Sequence, residues 1–282
     1  MNFTEQEFNL VLEYQMEYRD VLDDTSDEAL LDLIKSCQDD DERNLIDGLL
    51  RDFKKNMLDA KHSNDLMFKI AAEIAKLNYP SHQTAIVAMA TGTDADGSQE
   101  VLNQMKVPLK LAHVDCKYTD SRFTRIQKLY NKGIRHFIIV DDFIGSGKTV
   151  LSRVRDFKKW NLQGSTINFF FLAGMNKAIS LCRNNDIPVF CPYTMRKALS
   201  GCFVGSELLW RVRAMCRLES RLAPQIKDTL LKENQFGYNH AEALYRRCYG
   251  NIPNSVFPVF WWEGYRDGSV RKPVFVRVQK GY

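Results

Sequence analysis

No cysteine in this chain has a partner at motif spacing. Cys37, Cys116, Cys182, Cys191, Cys202, Cys216 and Cys248 are scattered singly over 282 residues, with no C-x-x-C pair. An odd, unpatterned set argues against a disulfide framework or a zinc ribbon and points to reduced thiols in a cytoplasm. No apolar run reaches the roughly 20 residues of a membrane-spanning helix, and the acidic N-terminus is not that of a signal peptide. The five histidines, His62, His82, His113, His136 and His240, have no pairing by sequence that nominates a general base. What is present is ordinary: 45% hydrophobic and 26% charged residues, enough for one substantial domain plus a smaller one. The net charge of +4 hides an asymmetry, since residues 1–60 carry eleven net negative charges and the remainder fifteen net positive ones. Solvated helix surfaces account for such a split, as does a basic face for an anionic ligand or nucleic acid.

The densest chemistry lies in His136 to Val150, HFIIVDDFIGSGKTV. Phe137-Ile138-Ile139-Val140 reads as a strand buried on both faces of a parallel sheet. Asp141 and Asp142 follow, then Phe143 and Ile144, then Gly145-Ser146-Gly147-Lys148-Thr149. Those small residues let backbone N–H groups turn toward an anion. Val150, Leu151, Val154 and Phe157 then fall at helical spacing up to Trp160. A strand, two acids, a Gly-rich turn and a helix N-terminus make a phosphate site with carboxylates beside it. The rival is a P-loop, whose first glycine belongs five residues before the Gly-Lys pair. Asp142 holds that place, and its charge would repel the phosphates the loop should wrap.

Around this stretch the periodicity alternates. Residues 1–80 read as helices only, with Thr25-Ser26-Asp27-Glu28 and Asp39-Asp40-Asp41-Glu42 as helix starts. The segment carries no catalytic constellation and is expected to be a helical cap or an oligomerisation element. Ala85 to Ala90 reads as a strand, Thr91 to Ser98 as a turn with Ser98 or Asp96 as N-cap, and Gln99 to Met105 as a helix. Leu109 to Val114 is expected as a third strand, followed by a polar stretch, Lys117 to Thr124, and a helix over 123–132. Arg122, Arg125 and Lys128 there could reach a phosphate or form a solvated face. Ile167 to Leu172 and Ile187 to Phe190 read as strands flanking a helix, Asn176 to Arg183. The β–α alternation requires parallel strands with right-handed crossovers, and ligands gather at their carboxyl ends. Helices are expected again over Glu207 to Leu222, Pro224 to Lys232 and His240 to Tyr249, and a strand over Val274 to Val278. Phe257, Phe260, Trp261 and Trp262 read as core, or else as a hood on which a base could stack. The expected organisation is a helical segment over 1–80, an α/β core over 81–200, and a helical and aromatic extension over 201–282.

The apolar strand, paired acids, two intervening residues and Ser-Gly-Lys-Thr turn resemble the signature of the type I phosphoribosyltransferases. The resemblance implies a parallel-sheet core in which Asp141 and Asp142 hold the ribose hydroxyls of phosphoribosyl pyrophosphate, act in catalysis and serve Mg²⁺. It implies that Gly145, Ser146, Gly147, Lys148 and Thr149 cradle the 5′-phosphate, and that Thr91, Gly92 and Ser98 lie where the family's diphosphate loop falls. Asp94 and Asp96 could meet a diphosphate there only through a metal ion. Carboxylates accept from vicinal diols, and hydroxyls and amides donate to phosphate, so the residue types suit these roles. In the hypoxanthine-guanine type the residue at Gly145 is an aspartate that manages a proton on the purine, so housekeeping purine salvage is not the expectation. Asn251 to Trp262, NIPNSVFPVFWW, resembles a segment of the phosphoribosyltransferase-like, PRTase-CE type, proteins of bacterial antiviral conflict systems, some encoded beside reverse transcriptases in retrons. That resemblance implies a cytoplasmic effector that transfers or cleaves a ribosyl bond, or a nucleotide-binding sensor without turnover. Its partners would be phosphoribosyl pyrophosphate or a nucleotide, an operon-encoded protein or nucleic acid such as a reverse transcriptase with its RNA or DNA, and further copies of itself, with no membrane.

Overall fold

A Ser, Thr or Asp ahead of the first turn starts helix after helix in the first part of the chain, because its side-chain oxygen accepts one of the N–H groups a helix leaves unpaired. Thr4 accepts from Glu7, Ser26 from Ala29, Asp39 from Glu42 and Asp59 from His62. The helices are α1 (Glu5–Glu17), the short α2 (Arg19–Leu22), α3 (Asp27–Ser36) and α4 (Asp40–Asn56), followed by β1 (Met57–Leu58) and α5 (Ala60–Lys76). The computed structural model describes residues 4–22, 25–92, 97–248 and 250–278. They fall into two compact units, one of Met1–Leu58 with Arg196–Tyr282 and one of Asp59–Met195.

The unit of Asp59–Met195 alternates strand and helix. After α5 come β2 (Thr84–Ala88), α6 (Gly97–Gln104), α7 (Lys106–Leu111), β3 (Tyr118–Asp120), α8 (Ile126–Asn131), β4 (His136–Ile144) and α9 (Lys148–Lys159). Then follow β5 (Thr166–Met175), α10 (Asn176–Arg183), β6 (Val189–Phe190) and β7 (Tyr193–Met195). The strands are parallel in the order β3-β2-β4-β5-β6, with β7 also paired to β5. Every residue of β2 is buried, as are Phe137 to Val140 and Asn168 to Met175. Covered faces on both sides explain why these strands are continuous apolar runs instead of alternating ones.

Two expectations in this unit are corrected. Leu109 to Val114 is not a strand: Lys106–Leu111 is helix α7, with Pro108 in its first turn where a missing N–H costs nothing. A short apolar run does not distinguish a strand from a buried helix segment. The third strand is instead Tyr118–Asp120, inside the stretch read as polar loop, and it pairs with β2 through Ala85, Ile86 and Val87.

The other unit is built on α4 and α11 (Gly205–Ser220). Glu42, fully buried, takes Arg217 Nε at 3.0 Å and Arg221 Nη2 at 2.5 Å. Beyond α11 lie β8 (Gln225–Ile226) and β9 (Thr229–Leu230) as an antiparallel hairpin, α12 (Leu231–Asn234), and β10 (Arg246–Arg247), which pairs in parallel with β1. The helices expected over 224–232 and 240–249 are therefore corrected. Lys227 at φ 47° turns the hairpin, and Asn239, His240 and Glu242 at φ 56°, 52° and 51° exclude a continuous helix. Glu242 is pinned instead by the Leu199 N–H at 3.0 Å, the Ser200 N–H at 2.7 Å and Lys197 Nζ at 2.8 Å. Among the described residues Val274 to Val278 forms no strand, and Phe275 donates its N–H to Phe260. Phe257, Phe260, Trp261 and Trp262 are core, not a stacking hood: all are buried, and the indoles donate to the Val256 and Ala223 carbonyls at 2.9 Å.

One carboxyl in this core is out of place energetically. Glu219 on α11 accepts from the Phe236 N–H at 2.9 Å through Oε1, while Oε2 has no partner among the described residues. Burial pushes its pKa up to about 8, against the lowering by that one hydrogen bond. The folded chain therefore keeps a proton that the unfolded chain loses near 4.5. The stabilisation is fully present below pH 4.5 and is lost as pH rises through 8. Glu219→Gln is expected to match the wild-type melting temperature at pH 4.5 and exceed it by about 4 °C or more at pH 8. Parallel melting curves of the two proteins across that range would remove this account.

Candidate functional site

Strand β4 sets the geometry. It does not end at Val140 but runs on through both acids to Ile144, held by pairing of Asp141 with Phe171, Phe143 with Ala173 and Ile144 with Gly174 of β5. The close pairing continues there because Gly174 has no side chain, and a Cβ at that position would stand 2.2 Å from Ile144 Cγ2. Successive strand residues point to opposite faces, so Asp141 and Asp142, both half-buried, do not leave the strand side by side. Asp141 Oδ1 accepts the Asp142 N–H at 2.9 Å. The Asp142 carboxylate lies against the first residue of α6, where a Cβ on Gly97 would meet its Cγ at 2.6 Å and both oxygens at 2.7 Å.

The turn after β4 is shaped by Gly147. It sits at φ 78°, the left-handed region where a side chain is strained, and α10 closes over it, with Leu181 Cδ2 3.3 Å and Ala178 O 3.5 Å from where a Cβ would be. Helix α9 begins at Lys148 with Gly147 as its N-cap, so no side chain caps it, and its first turn holds no acid. Ser146 Oγ reaches the Lys148 N–H only at 3.5 Å. Lys148 and Thr149 are exposed, Gly145 and Ser146 half-exposed. An uncapped helix start with partial positive charge, a lysine and two hydroxyls at the end of a buried strand suits an anion.

The loop after β2 meets this region. Met89 donates to the Val140 carbonyl at 3.1 Å, and Ala90 donates its N–H to Ser98 Oγ at 3.1 Å. Ser98 is buried, so its hydroxyl fastens α6 to the end of β2, behind the half-exposed Thr91 and Gly92. Asp94 and Asp96 lie outside the described residues. Ala90 O accepts from the Phe123 N–H at 2.6 Å, which brings the segment carrying Arg122 alongside. Arg125 is turned to Asp120 at 3.4 Å. His136, at the opposite end of β4, stacks on Tyr79 at 4.1 Å and contacts Thr166 Oγ1 at 3.0 Å, so it does not serve this site. Burial lowers its pKa.

The structure thus brings Asp142, the turn 145–149 and the 89–92 loop to the carboxyl edge of one sheet. Gly97 was missed by sequence reasoning. It stands in a run of turn residues, and nothing local announces that a carboxylate 45 positions later in the chain packs on its Cα. Among the described residues no group of three or more His, Cys, Asp or Glu side chains could hold a metal ion, and no helix is long and apolar enough to cross a membrane.

A model of the PRTase-CE family matches residues 20–277 of the chain. No curated protein matches it. Among solved structures, the orotate phosphoribosyltransferase of Aeropyrum pernix is similar at 13% identity over 47% of this chain and 68% of its own, with a TM-score of 0.31. A hypoxanthine-guanine-xanthine phosphoribosyltransferase is 18% identical over 48% and 75%, with a TM-score of 0.32. A hypothetical protein from Neisseria gonorrhoeae with bound ppGpp is 12% identical over 50% and 84%, with a TM-score of 0.34.

Proposed function

Because the chain belongs to the PRTase-CE family and has a phosphoribosyltransferase-like core, we propose that it binds phosphoribosyl pyrophosphate or a nucleotide and transfers or cleaves the ribosyl bond, as the effector of a bacterial antiviral defence system. The observation that carries this reading is the uncapped start of α9 at a left-handed Gly147, directly after a strand whose carboxyl end bears Asp141 and Asp142. The Gly147, Lys148 and Thr149 amides, with the Ser146 and Thr149 hydroxyls and Lys148 Nζ, donate to the 5′-phosphate. A ribose lying across the end of the strand reaches both Asp141 and Asp142, which accept from its hydroxyls and orient the ring, while Thr91 and Gly92 receive the diphosphate. Ser98 keeps that loop in place through Ala90.

Mg²⁺ fits as a shared ligand. It is an oxygen-binding ion that uses one or two carboxylates plus substrate phosphates, and it would neutralise the leaving diphosphate. Opposite strand faces argue that the two acids do not chelate it as a pair, so Asp141 or Asp142 alone would hold it beside the diphosphate.

The second reading is a nucleotide-binding sensor without turnover, and Gly145 favours it. No acid stands where the purine-specific enzymes place theirs, and general acid–base help is worth about 10²–10⁴-fold. The effector reading expects silence from the cytoplasmic protein alone and activity when an operon partner, such as a reverse transcriptase with its nucleic acid, releases it. The deciding experiment is mass spectrometry of nucleotides before and after triggering, with Mg²⁺ supplied. A pool that changes, and only when Asp142 is intact, supports the effector. An unchanged pool with ribose-5-phosphate still bound leaves the sensor.

A further inference from the structure

Helix α1 buries one side only. Val11 and Tyr14 are packed away, whereas Phe8, Leu12 and Met16 stay 47%, 39% and 81% exposed. Spaced by four, these three make one stripe along the helix. Charges of opposite sign stand at equal distances from its middle residue: Glu5 is seven positions before Leu12, and Arg19, the first residue of α2, is seven after. Both are exposed, and among the described residues neither makes an ion pair.

We propose that α1 is the two-fold interface of a homodimer, two copies of the helix lying antiparallel with the axis through Leu12. Within α1 each residue then meets the one equally far beyond Leu12 in the second copy, and Arg19, just past the Tyr18 cap, stands at the helix end that receives the second copy's Glu5. Leu12 meets Leu12, Phe8 meets Met16, and Glu5 meets Arg19, each contact occurring twice, as an isologous interface demands. A parallel pair would instead set Glu5 beside Glu5 and Arg19 beside Arg19, which costs energy. Of the other acids of α1, Glu7 is held by Lys35 and Glu17 by Arg51 on the protein's own surface, while the exposed Glu13 meets Val11 of the second copy and not an acid. One helix pair covers less than the roughly 1,200–2,000 Å² of a standard interface, so the dimer is weak and concentration-dependent.

Sedimentation velocity over a concentration series tests this on the full chain. The wild type is expected to pass from monomer to dimer. Leu12→Glu, which puts two carboxylates on the axis at an exposed position, is expected to raise the dissociation constant more than tenfold. Glu5→Arg alone is expected to weaken the dimer about threefold, an exposed pair being worth a few tenths to one kcal/mol, and Glu5→Arg with Arg19→Glu to restore it. Cross-linking gives the orientation: Leu12→Cys should join to the same position of the second copy, whereas Phe8→Cys should join only to Met16→Cys. A chain that stays monomeric throughout, a dimer indifferent to Leu12→Glu, or charge reversals that do not rescue each other would overturn the proposal.

Discussion

Asparagine in place of both Asp141 and Asp142 is expected to leave a folded chain that no longer holds ribose-5-phosphate. Hydrogen bonds to charged groups are worth about 1.5–3 kcal/mol each, so losing the charge at both positions should weaken binding by roughly a hundredfold or more. The fold should survive for local reasons. In Asp141→Asn the amide oxygen can still accept the neighbouring N–H that Asp141 accepts now. Asp142→Asn keeps the same volume against Gly97, where even a methyl group would not fit. Calorimetry with ribose-5-phosphate, beside thermal unfolding of both proteins, separates the outcomes. Unchanged affinity would count against the ribose role, and an unfolded double variant would make the acids structural.

Gly147→Val should remove phosphate binding altogether. A β-branched residue at φ 78° costs on the order of 1–2 kcal/mol, and its branch would press on Leu181 and the Ala178 carbonyl of α10. The turn must open to relieve this, which rotates the Lys148 and Thr149 amides away from a common point. The protein should melt a few degrees lower yet remain folded, because Gly147 lies outside the paired part of β4. Titration with inorganic phosphate and with ribose-5-phosphate should then show no heat for either. A Gly147→Val protein that binds as tightly as the wild type would mean that the anion sits elsewhere.

The site was legible in the sequence to the extent that it is contiguous. Asp141 to Thr149 is one strand end and one turn, and the Gly-Ser-Gly run and the absent P-loop glycine are local facts, whereas the left-handed φ of Gly147 is known only from the structure. Strands β2, β4 and β5 were legible for the same kind of reason, since a strand covered on both faces must be apolar throughout. Tyr118–Asp120 was not, because an edge strand of three half-exposed or exposed residues carries no periodicity to read, and its identity comes from pairing with β2. Nor could the sequence show that α6 presents Gly97 to Asp142, or that Ser98 is spent on Ala90.

Outside the α/β unit the balance shifts further. The capping residues and amphipathic spacing of residues 1–58 determined helices without indicating what they pack against. That they form one unit with residues 196–282, through Glu42 with Arg217 and Arg221 and through β1 with β10, is a long-range result. The same contacts override local preference: AEALYRR would favour a helix by itself, but the left-handed Asn239, His240 and Glu242 and the grip of Lys197, Leu199 and Ser200 on Glu242 hold it extended toward β1. Local chemistry determined where an anion could sit in this chain, while the partners of each helix and carboxylate were decided by burial, which acts between residues far apart in sequence.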